Sequence, residues 1–216
     1  MFKKLRIKYL ERMAFNNYIS QNFQKAEAYF KKILTLEPKR LGIRHNLGAI
    51  ALAQKQFAKA EGLFLEEVAQ FGENYPRLRL LADLYYLWGK KEKALDTYKQ
   101  CNIQGPPDSD KRLIKARIAV CKDAQRFTRV AEALKFYDEG NRLMEEKKWD
   151  EAEDQFVQAV KLDETNISAW NNLGTIRLNH FKNYQGAAEA FRRALSLQKI
   201  GWIESNLKNA ERLQSQ

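Results

Sequence analysis

The chain has 216 residues, with 38 Lys and Arg against 27 Asp and Glu, a formal net charge of +11, 44% hydrophobic residues, 10 Gly, 4 Pro and 2 Cys. It carries too many large apolar side chains for a disordered chain, too little Gly and Pro for a collagen-like one, and too few Cys for a disulfide scaffold. The opening MFKKLRIKYLERMAF places a charge every few residues where a signal peptide needs an apolar run, and no later stretch approaches the ~18 apolar residues of a membrane span, so a folded protein of a reducing, cytoplasmic compartment is expected.

In chain order, residues 7–40 set a pattern that the rest repeats. Met13-Ala14 stand in a first helix, and Ala26 and Phe30 in a second that ends near Pro38. The same columns return 34 residues later in 41–74, as Leu47-Gly48, Ala60 and Phe64, and again in 75–108, as Leu81-Ala82, Ala94 and Tyr98. The next segment, 109–132, lacks these columns but reads as a helix. Ser109 is its expected N-cap, and Leu113, Ile114, Ile118 and Cys121 form an apolar stripe suited to capping the first three units. The pattern resumes in 133–166 with Gly140, Ala152 and Phe156, and in 167–200 with Gly174, Ala187 and Phe191. Between these two units the first column steps by 34 and the others by 35, which locates a one-residue insertion in NHFKNYQ (179–185). Residues 201–214 should form a final cap with Trp202, Ile203 and Leu207 on one face. Apolar spacings such as Ala60, Phe64 and Val68 at i, i+4 and i+8 are helical, and no strand-like alternation occurs, so each unit is expected to be a helical hairpin. Small residues in one helix let the backbones approach, and a ring in the other fills the space beside them.

These residues resemble the tetratricopeptide repeat family, whose pattern is W-x2-L-G-x2-Y followed by A-x3-F and then A and P. The fifth unit matches through Trp170, Leu173, Gly174, Ala187, Phe191 and Ala194, and the third through Leu78, Leu81, Ala82, Tyr85, Ala94, Tyr98 and Pro106. The first and fourth match less well, with Met13-Ala14 and Glu139-Gly140 in place of Leu-Gly. The expected fold is an all-α superhelix, or solenoid, of five hairpins. It is divided into an N-terminal three-repeat block (1–132, with the basic capping helix 109–132) and a C-terminal two-repeat block (133–216, capped by 201–214), with a bend near 123–128 as one arrangement.

A stacked row of hairpins exposes an inner face lined by the first helix of each. The stripe opposite the packing columns contains Glu11, Phe15 and Tyr18; His45, Asn46, Ala49 and Leu52; then Arg79, Asp83 and Tyr86. Further along it contains Tyr137, Asn141 and Met144, followed by Asn171, Asn172, Thr175 and Asn179. An amide offers both donor and acceptor, so the asparagine-rich half suits the N–H and C=O groups of an extended peptide. The resemblance implies that use for Asn46, Asn141 and Asn172. Where some relatives hold a chaperone's C-terminal carboxylate with Lys, Asn and Arg, this chain has Glu11, Phe15, Pro76, Leu80 and Tyr137, which disfavours that ligand.

No reaction centre is legible. His45 and His180 have no metal-ligand companions at suitable spacing, no phosphate-binding glycine loop exists, and no cofactor is expected. Cys101 and Cys121 read as packing residues. EEKKWDEAED (145–154) reads as an interhelical turn leading into a helix start that favours acids, and Asn166 as a turn residue before a helix. Charge is uneven: residues 1–40 carry ten basic and three acidic residues, whereas 133–166 carry five basic and ten acidic. The expectation is a non-catalytic scaffold that binds a protein or peptide partner. The alternatives are contact of Lys3, Lys4, Arg6 and Lys8 with nucleic acid or anionic membrane, and self-association of stacked arrays.

Overall fold

The computed structural model describes residues 2–216, and among them every regular element is an α-helix. The elements are α1 (Phe2–Ile19), α2 (Phe23–Leu36), α3 (Ile43–Ala53), α4 (Phe57–Phe71), α5 (Tyr75–Leu87), α6 (Lys91–Ile103), α7 (Lys111–Lys122), α8 (Ala124–Glu145), α9 (Trp149–Leu162), α10 (Ile167–Asn179), α11 (Tyr184–Leu197) and α12 (Gly201–Gln214). Five helical hairpins follow the sequence columns: α1–α2, α3–α4, α5–α6, α8–α9 and α10–α11. The chain falls into two compact units, Met1–Leu84 and Tyr85–Gln216.

Each hairpin turns through one residue in the left-handed region: Gln21, Lys55, Gly89, Lys147 and Lys182, with φ between 54° and 76°. In the first four, the next N–H reaches back to a carbonyl of the first helix, as in Gln56 N to Ala51 O at 2.8 Å and Lys148 N to Leu143 O at 2.9 Å. This is the Schellman termination, which satisfies carbonyls a helix end would otherwise leave unpaired. Only Gly89 occupies the position without the side-chain penalty of left-handed backbone. The fifth turn has four residues between helices, 180–183, where the others have three. The insertion expected within 179–185 lies there.

The columns pack as their sizes require. An added Cβ on Gly140 would stand 2.8 Å from the Phe156 ring, and one on Gly174 would stand 2.6 Å from Phe191. Gly48 faces Phe64 in the same way. The rings are fully or almost fully buried, and each contributes roughly 1.5–3 kcal/mol of burial. In the first unit, Ile7, Leu10 and Ala14 of α1 join Phe30, Ile33, Ile43, Leu47 and Ile50 in one core. In the second, Leu143, Phe156, Leu173 and Ile176 form one cluster, and Phe191, Ala194, Ile203 and Ala210 another.

Several expectations are corrected. Residues 109–132 are not one helix, because the backbone is extended at Asp123, whose carboxylate accepts from the N–H of Arg126 at 3.0 Å and starts α8 afresh. Ser109 is not the N-cap of α7; Asp110 occupies that position, and the Ser109 hydroxyl donates to its carboxylate. Nor is α7 a terminal cap. It contacts α6, α8 and α11, its Leu113 sits in the cluster around Phe191, and Gln198 beyond α11 donates to Asp110 at 2.9 Å. A helix buried by three neighbours is an internal strut, and α8 runs unbroken through the boundary expected between 132 and 133. In α12 the buried stripe is Ile203 and Ala210 with Leu207 packed beside them, while Trp202 is 57% exposed, off the face assigned to it.

Candidate functional site

In the first unit, the first helices α1 and α3 and the start of α5 enclose a cleft of about 250 Å³. Five residues of the inner stripe line it: Phe15, Tyr18, His45, Asn46 and Ala49. Phe30 and Leu80 complete its lining. Phe15 stands edge-on to Phe30, with ring centroids 5.4 Å apart and planes at 85°, and Tyr18 contacts Phe23 similarly at 6.0 Å. Both rings are thus braced by α2 while 42% and 36% exposed. The His45 ring lies 6.0 Å from Phe64. Burial holds its pKa below the usual histidine range; Glu67 opposes this and Arg77 adds to it. The cleft is therefore walled by rings, aliphatic carbon, one amide and a neutral imidazole.

Glu67 was not anticipated. It is 1% exposed, and its Oε1 accepts from the N–H of Gly42 at 2.7 Å, capping α3 where Gly42 has no side chain to do so. Its signal was faint: a carboxylate on the apolar side of α4. Glu11 accepts from Arg40 at 2.7 Å and Leu52 is half-buried; neither lines the cleft. Arg79 and Asp83 bind each other at 3.0 Å with side chains 13% and 17% exposed, so this charge pair is internally balanced.

In the second unit, the asparagines of α8 and α10 meet. Asn172 Nδ2 donates to Asn141 Oδ1 at 2.8 Å, and Asn171 Nδ2 donates to Asn172 Oδ1 at 3.3 Å. The Asn141 amide N–H groups have no partner among the described residues, and Asn171 Oδ1 is buried without one. The cluster therefore retains one donor end and one acceptor. Thr175 turns its hydroxyl back to the Asn171 carbonyl at 2.9 Å. Tyr137 packs its ring 6.0 Å from Phe156, Met144 is half-buried nearby in sequence, and Asn179 is exposed.

Tyr86 does not take the inner-face position expected of it. It is completely buried, its hydroxyl lying 3.1 Å from Asp163 Oδ1 and 3.2 Å from Thr165 Oγ1 in the α9–α10 connection. Phe127 stands edge-on to it at 5.7 Å and Arg117 lies 4.8 Å above its ring. Burial pushes the phenol far above its usual pKa. The second unit's own chain fills the space in which Tyr86 was expected to meet a ligand.

The remaining features are structural in form. Asp150 and Glu151 occupy the first turn of α9, and Asn166 caps α10 by accepting from Ala169 N at 3.0 Å. Cys101 and Cys121 are free and buried, and burial pushes the Cys121 thiol up to about 12. A wider depression of about 580 Å³ over α8 and α9, lined by Glu132, Lys135, Phe136 and Glu139, had no sequence signal. No group of three or more His, Cys, Asp or Glu is arranged to hold a metal among the described residues, and no described helix is long and apolar enough to cross a membrane. Lys3, Lys4, Arg6 and Lys8 are all exposed on α1.

A family model described as a tetratricopeptide repeat matches residues 20–77 and 137–200. Human protein O-mannosyl-transferase TMTC1 is 25% identical over 201 residues, 91% of this chain and 20% of that protein, so the chain spans about a fifth of that relative's length. A solved tetratricopeptide repeat protein from Parabacteroides merdae superposes with a TM-score of 0.50 at 17% identity, covering 96% of this chain and 99% of the other. The Cut9–Hcn1 hetero-tetramer structure of the APC/C gives 0.51 at 13% identity, covering 94% and 42%. At these identities the structural likeness is one of fold.

Proposed function

The chain belongs to the tetratricopeptide repeat family, and we propose that it is a non-catalytic scaffold that binds a peptide segment of a protein partner. The observation that carries this reading is the cleft of about 250 Å³ in the first unit, open between braced rings and lined by residues of successive first helices. Its walls hold no formal charge, so they favour an apolar or aromatic side chain of the ligand over an acidic tail. Desolvating such a side chain supplies affinity, and Asn46 at the rim can pair with the peptide backbone. The Asn141–Asn172 pair offers a second backbone-reading point in the other unit through its free amide donors.

The test is selection of a randomised peptide display library on the full chain. Enriched peptides should carry a large aromatic or aliphatic residue. Ala49→Phe, which fills the cleft from a half-buried position, should lower their binding at least ~10-fold with helical content unchanged. Peptides binding Ala49→Phe and an Asn141→Ala/Asn172→Ala variant as tightly as the native chain would remove the assignment.

A further inference from the structure

The outer face of α1 has a composition that core packing does not account for. Ile7, Leu10 and Ala14 are the residues this helix buries. On the opposite side Phe2, Leu5 and Tyr9, spaced i, i+3 and i+7, lie in one stripe, 89%, 57% and 59% exposed. Helical geometry sets Lys8 and Arg12 along one flank of the stripe and Arg6 along the other, with Lys3 and Lys4 in the first turns. None of these five lysines and arginines forms an ion pair among the described residues, and the one carboxylate nearby, Glu11, is taken by Arg40.

We infer that this face of α1 docks on an anionic lipid surface. The unpaired cations are complementary to acidic headgroups. Phe2 and Leu5 can enter the acyl boundary while Tyr9 remains at headgroup level, the division of labour seen in interfacial helices. The helix is already formed and held by its buried side, so binding requires no folding step. Nucleic acid would satisfy the charges but gives an exposed Leu no base edge or ring to pack on as lipid does. A second copy of the same face would set like charges against one another.

The experiment is cosedimentation of the full chain with phosphatidylcholine vesicles containing about 30% phosphatidylserine, beside pure phosphatidylcholine vesicles, at about 0.1 M salt. Two α1 variants alter exposed positions: Lys4→Glu/Lys8→Glu and Leu5→Ser/Tyr9→Ser. Lys115→Glu/Lys122→Glu, on exposed positions of α7, controls for bulk charge. The native chain should bind the anionic vesicles only, each α1 variant should lose at least ~10-fold, and the control should stay within about twofold. Equal loss in the control, undiminished binding by Leu5→Ser/Tyr9→Ser, or no sedimentation of the native chain would overturn the inference. So would α1-dependent binding of duplex DNA without vesicle binding, or a vesicle-independent dimer abolished by Leu5→Ser/Tyr9→Ser.

Discussion

The two units use the same hairpin and treat its inner stripe in opposite ways. In the first, Phe15, Tyr18, His45 and Asn46 surround open space. In the second, Tyr86 is sealed by Asp163 and Thr165, and the asparagines of α8 and α10 are already partly bonded to each other. Repeat register decides which residues face inward. Whether they stay available is decided by what else the chain brings there, and in the second unit the α9–α10 connection carries the polar groups that close over a phenol.

The largest effect should come from dismantling that closure. Tyr86→Ala removes a fully buried ring and should cost about 4 kcal/mol, read from urea unfolding, whereas Tyr86→Phe leaves the Thr165 donors on Asp163 and should cost about 1 kcal/mol. Peptide selection at the first unit's cleft should survive Tyr86→Phe. A smaller effect of opposite sign tests whether the units share their hairpin chemistry. Lys55→Gly in the first and Lys147→Gly in the second both relieve a left-handed side-chain residue, and each should gain about 1 kcal/mol. A gain in one unit alone would show that the turns differ as well as the inner faces. The smallest effect is confined to the first unit. His45 has a depressed pKa, so between its folded and unfolded values the unfolded chain binds more protons, and stability must fall as pH drops below about 6.5. His45→Gln should flatten the decline of the urea midpoint between about pH 7 and about pH 5.

Much of the fold was legible because its packing rule is steric. Gly48 with Phe64, Gly140 with Phe156 and Gly174 with Phe191 need a missing Cβ beside a ring, and that requirement shows as a fixed interval in the chain. The extra residue in the fifth turn was visible as a shift of the same columns. The role of α7 was not, since an apolar stripe reports that one face is buried and not how many neighbours bury it. Its end was marked only by Asp123, a cap residue inside an otherwise helical pattern. Phe15, Tyr18, His45, Asn46 and Ala49 of the first unit's cleft followed from helical phase, whereas Phe30 and Leu80 did not. Tyr86 shares that phase and was misassigned because its partners lie far along the chain, in a connection whose Asp163 and Thr165 bond to each other as well as to the phenol.

The four-residue turn at 180–183 bears on how the molecule could be used. Added length there leaves Gly174 and Phe191 in contact, so the closure of this hairpin is insulated from the span that joins its two helices. Connections of that kind absorb extra residues at low entropic penalty. This makes the bend a natural grafting point for an epitope or a dye-bearing loop that reports on the second unit.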